Sequence, residues 1–348
     1  MIDFVDVVVD LQYGDCGKGK VTNALLGAGN YTHCMRYNGG GNAGHTIYEN
    51  GKKIVTHYIP AGVLHGIVSI IGPGCVVYPE KLLEEIKDLE DAGFEVKKYL
   101  RIAKNVHVTT DSHVWEDSQD VAIGTCRSGN GPTYRDKYNR SGETADNKNG
   151  SLPSHVAAQL KPYLIDVYEE FYGNKTVRIL MEGAQGFGLD IDWGDYPYVT
   201  SSHCTTGGAI LNGVPWSKIR KVYGLAKAYE TYVGTKDFQG KDPIFNKIGD
   251  AGNEYGATTG RRRKVNWLDT DLMSKAIILN GVTDVIINKM DVLNEVGVYG
   301  IRNTEGVKKF ISEAQFHDAL LGEMRNKLKM VGKMDPVNFT FSYSPETI

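Results

Sequence analysis

Short apolar runs alternate with longer amphipathic stretches along the chain. Residues 4–10 are rich in valine, a β-branched composition typical of a strand buried in a sheet. From Pro79 to the residue before Gly93, leucine and isoleucine recur at helical spacing, which predicts a helix that begins with proline and ends at glycine. The same reasoning predicts helices over residues 18–27, 154–172, 267–280 and 311–331. It predicts further strands over residues 32–37, 67–71, 177–181, 222–226, 285–288 and 339–341.

The order of these segments indicates an α/β fold. Strands that alternate with helices favour a mainly parallel central sheet flanked by helices. A hairpin is expected around Asn50-Gly51, because this dipeptide suits a type I′ turn. No repeat, low-complexity tract or long linker interrupts the sequence, so we expect one domain over residues 1–348 with loop insertions. Loops at the carboxyl ends of the parallel strands would then carry the ligands.

The composition excludes several classes of protein. The 39 basic and 42 acidic residues give a net charge of −3, so the chain as a whole has no field that would hold it on nucleic acid or an anionic membrane. No apolar run approaches the roughly 18 residues of a membrane span, and the acidic N-terminus is unlike a signal peptide. Five cysteines without a CxxC pair argue against a disulfide framework and a zinc knuckle. We therefore expect a cytoplasmic protein whose anion sites are local.

Glycine is in excess, and the first glycine-rich loop lies between the first predicted strand and a helix. Residues 14–20 fit the G-x-x-x-x-G-K part of a phosphate loop, in which backbone N–H groups and the helix N-terminus bind anions. Val21 stands where the usual loop has the Ser or Thr that ligates Mg²⁺, whereas Asp15 places a carboxylate inside the loop. The alternative is a tight turn with surface lysines, but the order of strand, loop and helix favours a phosphate site.

Two further loops carry candidate chemistry. Residues 39–45 form a second glycine-rich loop that ends in His45, whose near-neutral pKa suits proton transfer, although a single histidine there is often structural. Residues 256–264 place three arginines and a lysine after two glycines and two threonines, which offers forked donors for a carboxylate or phosphate. The alternative for the latter is a solvated basic surface.

A fourth motif favours guanine. Residues 288–291 read Asn-Lys-Met-Asp and follow a predicted strand. The Asp291 carboxylate can accept the N1–H and the 2-amino protons of guanine, whereas adenine presents an acceptor at N1. Together with a phosphate loop, this motif favours GTP.

Taken in chain order, these motifs resemble the adenylosuccinate synthetase family. The resemblance rests on residues 14–20, 42–45, 182–186, 196–202, 256–263, 267–269 and 289–291. It implies a phosphate-loop-NTPase-like fold and a carbon–nitrogen ligase, in which GTP phosphorylates O6 of a 6-oxopurine nucleotide and the amine of L-aspartate then displaces that phosphate. It also implies Mg²⁺ and a homodimer, with no nucleic acid or membrane partner.

The resemblance also implies roles for individual residues. Asp15 would be the base that removes the N1 proton and would ligate Mg²⁺ together with the carbonyl of Gly44, while His45 would be the acid that stabilises the transferring phosphoryl group. The acceptor nucleotide would be bound by Asp15, Cys16, Gly17, Lys18, Asn42, Ala43, Gly44, His45, Cys126, Gln185, Thr200, Arg261 and, from across the dimer, Arg140. Aspartate would be bound by Ala257, Thr258, Thr259, Gly260, Arg261, Arg262 and Arg263. GTP would be bound by Gly14, Gly17, Lys18, Gly19, Lys20, Arg263, Lys289, Asp291, Ser342 and Ser344.

The sequence departs from the family pattern near the expected acceptor site. Cys16 replaces a glutamate, Cys126 a threonine and His203 an asparagine, and Asp10 replaces a glycine at the head of the first loop. The lead over residues 10–14, the segment that ends in Phe187 and the Cys204-Thr pair are similar to a phage branch of the family that acts on dGMP and makes N6-succino-2-amino-2′-deoxyadenylate for 2-aminoadenine DNA. This sequence keeps Asp15 and the arginines at 261–263, which typical members of that branch have altered. Loss of the glutamate at position 16 would leave space for a 2-amino group.

We therefore expect dGMP as the acceptor, with a phage-encoded enzyme acting in the host cytoplasm as the corresponding source. The first alternative is IMP, the substrate of an ordinary adenylosuccinate synthetase in purine biosynthesis. Two other classes are a GTP-binding regulator without catalysis and a deoxynucleotide kinase. The regulator predicts damage at Asp15 or His45, which the sequence does not show. The kinase would not need an aspartate site.

Overall fold

The computed structural model describes residues 1–49, 52–256, 260–332 and 336–344. The strands are β1 (Ile2–Asp10), β2 (His33–Arg36), β3 (His45–Glu49), β4 (Lys52–Thr56), β5 (Val68–Ile71), β6 (Val76–Val77), β7 (Leu100–Ala103), β8 (His107–Val108), β9 (Leu164–Ile165), β10 (Val177–Glu182), β11 (Ile219–Lys227), β12 (Tyr229–Tyr232), β13 (Lys264–Asp269), β14 (Asp284–Asn288), β15 (Tyr299–Asn303), β16 (Gly306–Phe310) and β17 (Asn338–Phe341). The α-helices are α1 (Lys18–Ala28), α2 (Pro79–Asp91), α3 (Val96–Tyr99), α4 (Asp111–Gln119), α5 (Asn130–Asn139), α6 (Ser154–Leu160), α7 (Val167–Tyr172), α8 (Thr206–Ile210), α9 (Ile244–Ala251), α10 (Thr270–Asn280), α11 (Met290–Val296) and α12 (Glu313–Met330).

A large parallel sheet organises the fold. Its strand order is β17-β14-β11-β1-β10-β2-β5-β7-β9, and every neighbouring pair is parallel. A smaller sheet, β12-β13-β15-β16, and the antiparallel hairpin β3-β4 lie outside it. The α/β fold with a mainly parallel central sheet is therefore confirmed.

Strand β1 lies in the middle of this sheet because both of its faces are apolar. Val5, Val7 and Val9 pack into one hydrophobic cluster, and Val8 packs on the opposite face with Val21 of α1. A strand buried on both sides reads as a continuous apolar run rather than as an alternating one. The loop that follows β1 therefore starts from the centre of the sheet's carboxyl edge.

Most predicted elements agree with the structure, but two do not. The helix predicted over 154–172 is interrupted, since α6 ends at Leu160 and α7 begins only at Val167. Pro162 lies between them and has no N–H to continue a helix. The helix predicted over 267–280 begins later, because residues 264–269 form β13 and Asp269 caps α10 through the N–H groups of residues 271 and 272.

The predicted hairpin is present as the antiparallel pair β3 and β4, with His45 opposite Thr56. Its turn residues, Asn50 and Gly51, lie outside the described residues, and so do Ala257, Thr258 and Thr259 of the predicted aspartate site. Within the described part of the chain, none of the helices combines the length and the apolar character of a membrane-spanning segment.

Candidate active site

A cavity of about 1100 Å³ opens at the carboxyl ends of the central strands, the edge at which parallel sheets bind ligands. The segments that line it include residues 13–20, 42–46, 123–126, 198–201 and 251–253. Residues that the sequence assigns to the site and that line this cavity are Gly14, Asp15, Cys16, Gly17, Lys18, Gly19, Lys20, Asn42, Ala43, Gly44, His45, Cys126, Gln185, Thr200, Arg263, Lys289, Asp291 and Ser344. The phosphate loop, the second glycine-rich loop and the guanine motif, all predicted from sequence to bind nucleotides, thus line one cavity.

The phosphate loop is wrapped around the buried carboxylate of Asp10. This carboxylate accepts hydrogen bonds from the backbone N–H groups of Gly14 at 3.2 Å and Cys16 at 3.0 Å, and pairs with the Lys18 ammonium at 2.9 Å. Two amides that could have faced a phosphate are therefore directed inward.

The side chain of Lys20 contacts two of the residues that are predicted to bind GTP. Its ammonium donates to Ser342 Oγ at 2.7 Å and to the Ser344 carbonyl at 3.0 Å, which joins α1 to the segment after β17. Burial lowers the pKa of Lys20 to about 8, with Asp291 acting in the opposite direction and Lys289 in the same one. Residues 342–344, of which Ser342 and Ser344 are predicted to bind GTP, therefore lie beside the guanine motif, although Ser342 itself is buried behind Lys20.

Asp15 is held in a cluster of two carboxylates and two cations. Its Oδ2 lies 3.1 Å from the Lys227 ammonium and 2.8 Å from the Arg263 guanidinium. Both cations also contact Glu254, at 2.9 and 2.7 Å. Lys227 and Glu254 are each 1% exposed, whereas Asp15 is 42% exposed and faces the cavity. The cluster is neutral overall, and Asp15 is its most exposed member.

Electrostatics keep Asp15 ionised. Burial would raise the pKa of its carboxyl, but the charges of Lys227 and Arg263 outweigh burial and lower it. Sequence reasoning missed Lys227 and Glu254. The signal for Lys227 was available, because it follows the predicted strand 222–226 at the ligand-binding edge. Glu254 has no motif of its own and is identified only by its contacts.

His45 forms a second buried cluster, with Glu182 and Arg36. His45 Nδ1 contacts Glu182 Oε1 closely, and Arg36 donates to the same oxygen at 3.1 Å. Glu182 is fully buried, and its other oxygen accepts the N–H of Ala61 at 3.1 Å. Nδ1 of His45 therefore faces Glu182 and lies 3.2 Å from the Arg36 guanidinium, while the residue lines the cavity.

The His45 cluster favours a neutral ring in the ligand-free protein. Burial and the charge of Arg36 lower the pKa of His45 to about 4, although Glu182 acts in the opposite direction. Burial would raise the pKa of Glu182, but Arg36 and His45 lower it to about 2. The sequence placed Glu182 only in a family motif and gave no reason to pair it with His45.

The second glycine-rich loop meets two predicted acceptor residues. Asn42 Oδ1 accepts from Gln185 Nε2 at 2.9 Å, and Asn42 Nδ2 donates to Thr200 Oγ1 at 3.4 Å. Gln185 Oε1 is buried and has no hydrogen-bond partner among the described residues. This oxygen lies against the glycine loop, where a Cβ atom at Gly39 would be 2.8 Å from it.

The arginine segment is only partly in the cavity. Arg261 donates to the carbonyls of Gly124 and Thr125, at 3.0 and 3.1 Å, and so lies against the loop that carries Cys126. Arg262 instead pairs with Asp250 at 2.6 Å outside the cavity. Neither Gly260 nor Arg140 lines the cavity, and Arg140 lies exposed at the end of α5. The role of Arg140 across a dimer stays a prediction.

Two departures from the family pattern point away from the acceptor. The Cys16 side chain is 1% exposed, packs with Val8 and Val21, and donates to Gln12 Oε1 at 3.1 Å. His203 lies outside the cavity and pairs with Asp192 at 3.1 Å. Cys16 still lines the cavity, although its side chain packs into the core. Cys126 also lines the cavity, and burial raises the pKa of its thiol.

Asp15 and Gly44 fit a magnesium ion. Lys227 and Arg263 both contact Oδ2 of Asp15, so its second carboxylate oxygen is the one that can ligate a cation. Gly44 lines the same cavity and contributes a carbonyl. Hard oxygen donors of this kind, completed by phosphate and water, are the set that Mg²⁺ prefers.

Comparison with known proteins agrees with this geometry. A family model described as adenylosuccinate synthetase matches residues 7–150 and 145–304. The adenylosuccinate synthetase of Chlorobium phaeobacteroides is 39% identical over 334 residues, which covers 83% of this chain and 76% of that protein. That of Xylella fastidiosa is 37% identical over 337 residues, with 83% and 77% covered.

Solved structures extend the comparison to the fold. The fully ligated adenylosuccinate synthetase of Plasmodium falciparum superposes with a TM-score of 0.83 at 26% identity, over 99% of this chain and 98% of that one. The succinoaminodeoxyadenylate synthetase of cyanophage S-2L, solved with dGMP and dATP, superposes with a TM-score of 0.70 at 23% identity, over 99% and 94%, a likeness that shows the fold alone. The chain therefore belongs to the adenylosuccinate synthetase family, whose members are ligases that form a carbon–nitrogen bond and release GDP and phosphate.

Proposed function

We propose that this protein uses GTP and L-aspartate to convert IMP into adenylosuccinate, with Asp15 as base and His45 as acid. The observation that carries the proposal is the ionised carboxylate of Asp15, which lies inside the phosphate loop and faces the cavity. A carboxylate there can take a proton from the purine ring at the same place where the loop binds the phosphates of GTP.

In the first step, Asp15 accepts the proton from N1 and the purine O6 attacks the γ-phosphorus of GTP. The O6–P bond forms and the bond from phosphorus to the β-phosphate oxygen breaks, which releases GDP. Arg263 must shift from Asp15 toward an anionic ligand as the substrates bind, because its charge lowers the pKa of the base. Ligand binding then makes Asp15 a stronger base.

The pKa of His45 also rises when the substrates bind. In the ligand-free protein its pKa is lowered to about 4. Phosphoryl oxygens beside Nε2 would raise that pKa, because a nearby negative charge favours the protonated ring. His45 then donates to the transferring phosphoryl group, while Glu182 holds Nδ1.

In the second step, the amine of aspartate attacks C6 and the C6–O6 bond breaks, so that phosphate leaves with the oxygen. The arginines at 261 and 263 suit the two aspartate carboxylates, since their planar guanidinium groups offer paired donors. Asp15 and Gly44 would hold Mg²⁺, which when bound neutralises charge on the phosphates. Lys289 and Asp291 would bind the guanine of GTP.

The acceptor is proposed as IMP because the curated relatives at 37–39% identity are adenylosuccinate synthetases. The second candidate is dGMP. Cys126 favours it, because a thiol in the cavity wall replaces the hydroxyl of the family pattern and changes one acceptor contact.

The test offers IMP, GMP, dGMP and dIMP separately to the purified protein with GTP, Mg²⁺ and aspartate, and identifies products by mass spectrometry. Adenylosuccinate from IMP, with an efficiency above that for dGMP, supports the proposal. A preference for dGMP selects the second candidate, and no product from any nucleotide overturns both. Replacing GTP by ATP in a parallel series tests the assignment of Asp291.

Asp15→Asn and His45→Asn provide the test of residue roles. Both variants should bind IMP and GTP almost normally, since Asp15→Asn keeps the shape of the side chain and His45→Asn keeps a polar group at the position of Nδ1. Turnover should fall by about 10²–10⁴, the usual contribution of general acid–base catalysis. Near-normal turnover in either variant contradicts the role of that residue.

A further inference from the structure

Asn130 is a buried polar residue at the cavity to which neither the motifs nor the family resemblance assigns a role. Its side chain is 7% exposed and lines the cavity. Its amide nitrogen, Nδ2, has no hydrogen-bond partner among the described residues. A buried donor without a partner is costly, so a group that accepts a hydrogen bond is expected there when the protein works.

Asn130 lies at a helix N-terminus, which indicates that the group accepting its hydrogen bond carries a negative charge. Asn130 is the first residue of α5, a helix of 10 residues, and Gly129 before it provides no side-chain cap. Gly131 and Pro132 of the same first turn also line the cavity. The N-terminus of a helix carries a partial positive charge and favours an anion.

The charged group that faces this end of α5 is already engaged. Asp117 is 6% exposed, and its Oδ2 accepts the N–H of Gly129 at 2.9 Å. It therefore occupies the amide that precedes the helix and not the side-chain amide of Asn130. No described residue satisfies the enclosed side-chain amide of Asn130, and the residue itself lines the cavity.

The neighbours of Asn130 place its amide beside the predicted acceptor loop. A Cβ atom at Gly40 would lie 2.8 Å from Asn130 Oδ1, so the oxygen of this amide is pressed against the glycine loop. The N–H of Gly40 donates to Asn42 Oδ1 at 3.2 Å. The amides of Asn130 and Asn42 thus flank the same glycine, and Asn42 reaches Thr200 on its other side.

We propose that Asn130 Nδ2 donates a hydrogen bond to the 5′-phosphate of the acceptor nucleotide, and that Asn130 with the N-terminus of α5 makes the enzyme selective for a phosphorylated acceptor. This inference rests on the proposed function, since it takes the acceptor to be a purine nucleoside monophosphate. A phosphate supplies the acceptor atoms that Nδ2 lacks and the negative charge that the helix end favours. Asn130 is a specificity residue in this account and takes no part in the transfer of protons.

The test compares Asn130→Asp and Asn130→Ala with the unchanged protein. Asn130→Asp keeps the shape but replaces the donor by a negative charge, and should raise the KM for the acceptor by about tenfold or more, because a charge-assisted hydrogen bond becomes a repulsion. Asn130→Ala should give a smaller increase. The KM values for GTP and aspartate should stay within about twofold, since the lost interaction is to the acceptor alone.

The phosphate is tested by measuring binding of IMP and of inosine, which lacks the phosphate, by titration calorimetry and by competitive inhibition. The inference expects weaker binding of IMP and unchanged binding of inosine. A merely structural role of Asn130 would weaken both ligands equally and overturn the inference. The control is Asn174→Asp, the same charge change at an exposed residue before β10, on the opposite edge of the sheet.

The two failures are distinguishable. If the unchanged protein neither binds nor converts IMP or dGMP, the proposed function fails and this inference fails with it. If the unchanged protein converts one of them and both Asn130 variants keep its KM, only the inference fails. Thermal denaturation of each variant identifies any loss of fold, in which case equilibrium binding to the folded fraction decides.

Discussion

Glu182 connects the stability of the protein to the chemistry of His45, and Glu182→Gln separates the two. The carboxylate is fully buried and is shared by Arg36 at 3.1 Å, the N–H of Ala61 at 3.1 Å and the ring of His45. Glutamine keeps the shape but removes the charge. Its amide N–H₂ would face one of these donors, and Arg36, only 2% exposed, would lose its counter-ion.

The size of the effect follows from this arrangement. Breaking a buried ion pair by removing one partner typically costs about 3–5 kcal/mol. For 348 residues, an unfolding entropy near 2.1 cal/mol/K per residue gives about 0.7 kcal/mol/K, so the melting temperature should fall by roughly 4–7 °C. Loss of the negative charge also lowers the pKa of His45 below its present value of about 4. A ring that resists protonation stabilises the phosphoryl group less, and kcat should fall by about 100-fold.

Differential scanning calorimetry and the pH dependence of kcat measure the two effects. The alkaline limb of the profile, where His45 loses its proton in the complex, should move to lower pH. Glu143→Gln is the matched control, because Glu143 is 5% exposed, accepts four hydrogen bonds from residues 144–151 and lies outside the cavity. Glu143→Gln should lower the melting temperature and leave the pH dependence of kcat unchanged. An unchanged profile in Glu182→Gln refutes the coupling to His45, and an unchanged melting temperature refutes the argument from the buried charge.

Three other outcomes are expected. Lys227→Met should lower the free energy of unfolding by about 3–5 kcal/mol, because the buried Glu254 carboxylate would keep only one of its two cationic partners. The same substitution should raise the pKa of Asp15. Unaltered thermal denaturation and an unaltered acidic limb of the pH–rate profile would contradict this. Burial raises the pKa of Glu230 from 4.5 to about 7, so between these pH values the folded protein binds a proton that the unfolded chain releases. The free energy of unfolding should therefore fall as pH rises across that interval. In Glu230→Gln the melting temperature should depend less on pH over the same interval. If Arg140 acts across a dimer, mixing Arg140→Leu with Asp15→Asn should restore part of the activity through hybrid dimers, and no recovery on mixing argues against a shared site.

The parts of the site that depend on local order were predictable from sequence. A β-branched run, a glycine loop and a helix predicted that Asp15 and Lys20 lie at the end of a central strand. The histidine of the second loop followed in the same way, because its loop also leaves a parallel strand. Since such loops meet at one edge of the sheet, their residues line a common cavity.

The pairings within the site could not be predicted, because they join distant positions. Lys227 and Asp15 are 212 positions apart, and His45 and Glu182 are 137 apart. No spacing rule relates such residues. Cys16 is a further example, because the sequence did not show that its side chain packs with Val8 and Val21 although the residue lines the cavity.

The central position of β1 has a consequence for how the protein is made. Val5, close to the start of the sequence, pairs with Ile179 on one side and Ile219 on the other. During synthesis this valine-rich segment emerges well before both of its neighbouring strands, whose paired residues follow Val5 by 174 and 214 positions. An apolar strand with unpaired edges is prone to intermolecular association during that interval. Expression at reduced temperature or with added chaperones should therefore increase the yield of folded enzyme. This increase should exceed any gained from substitutions near the C-terminus.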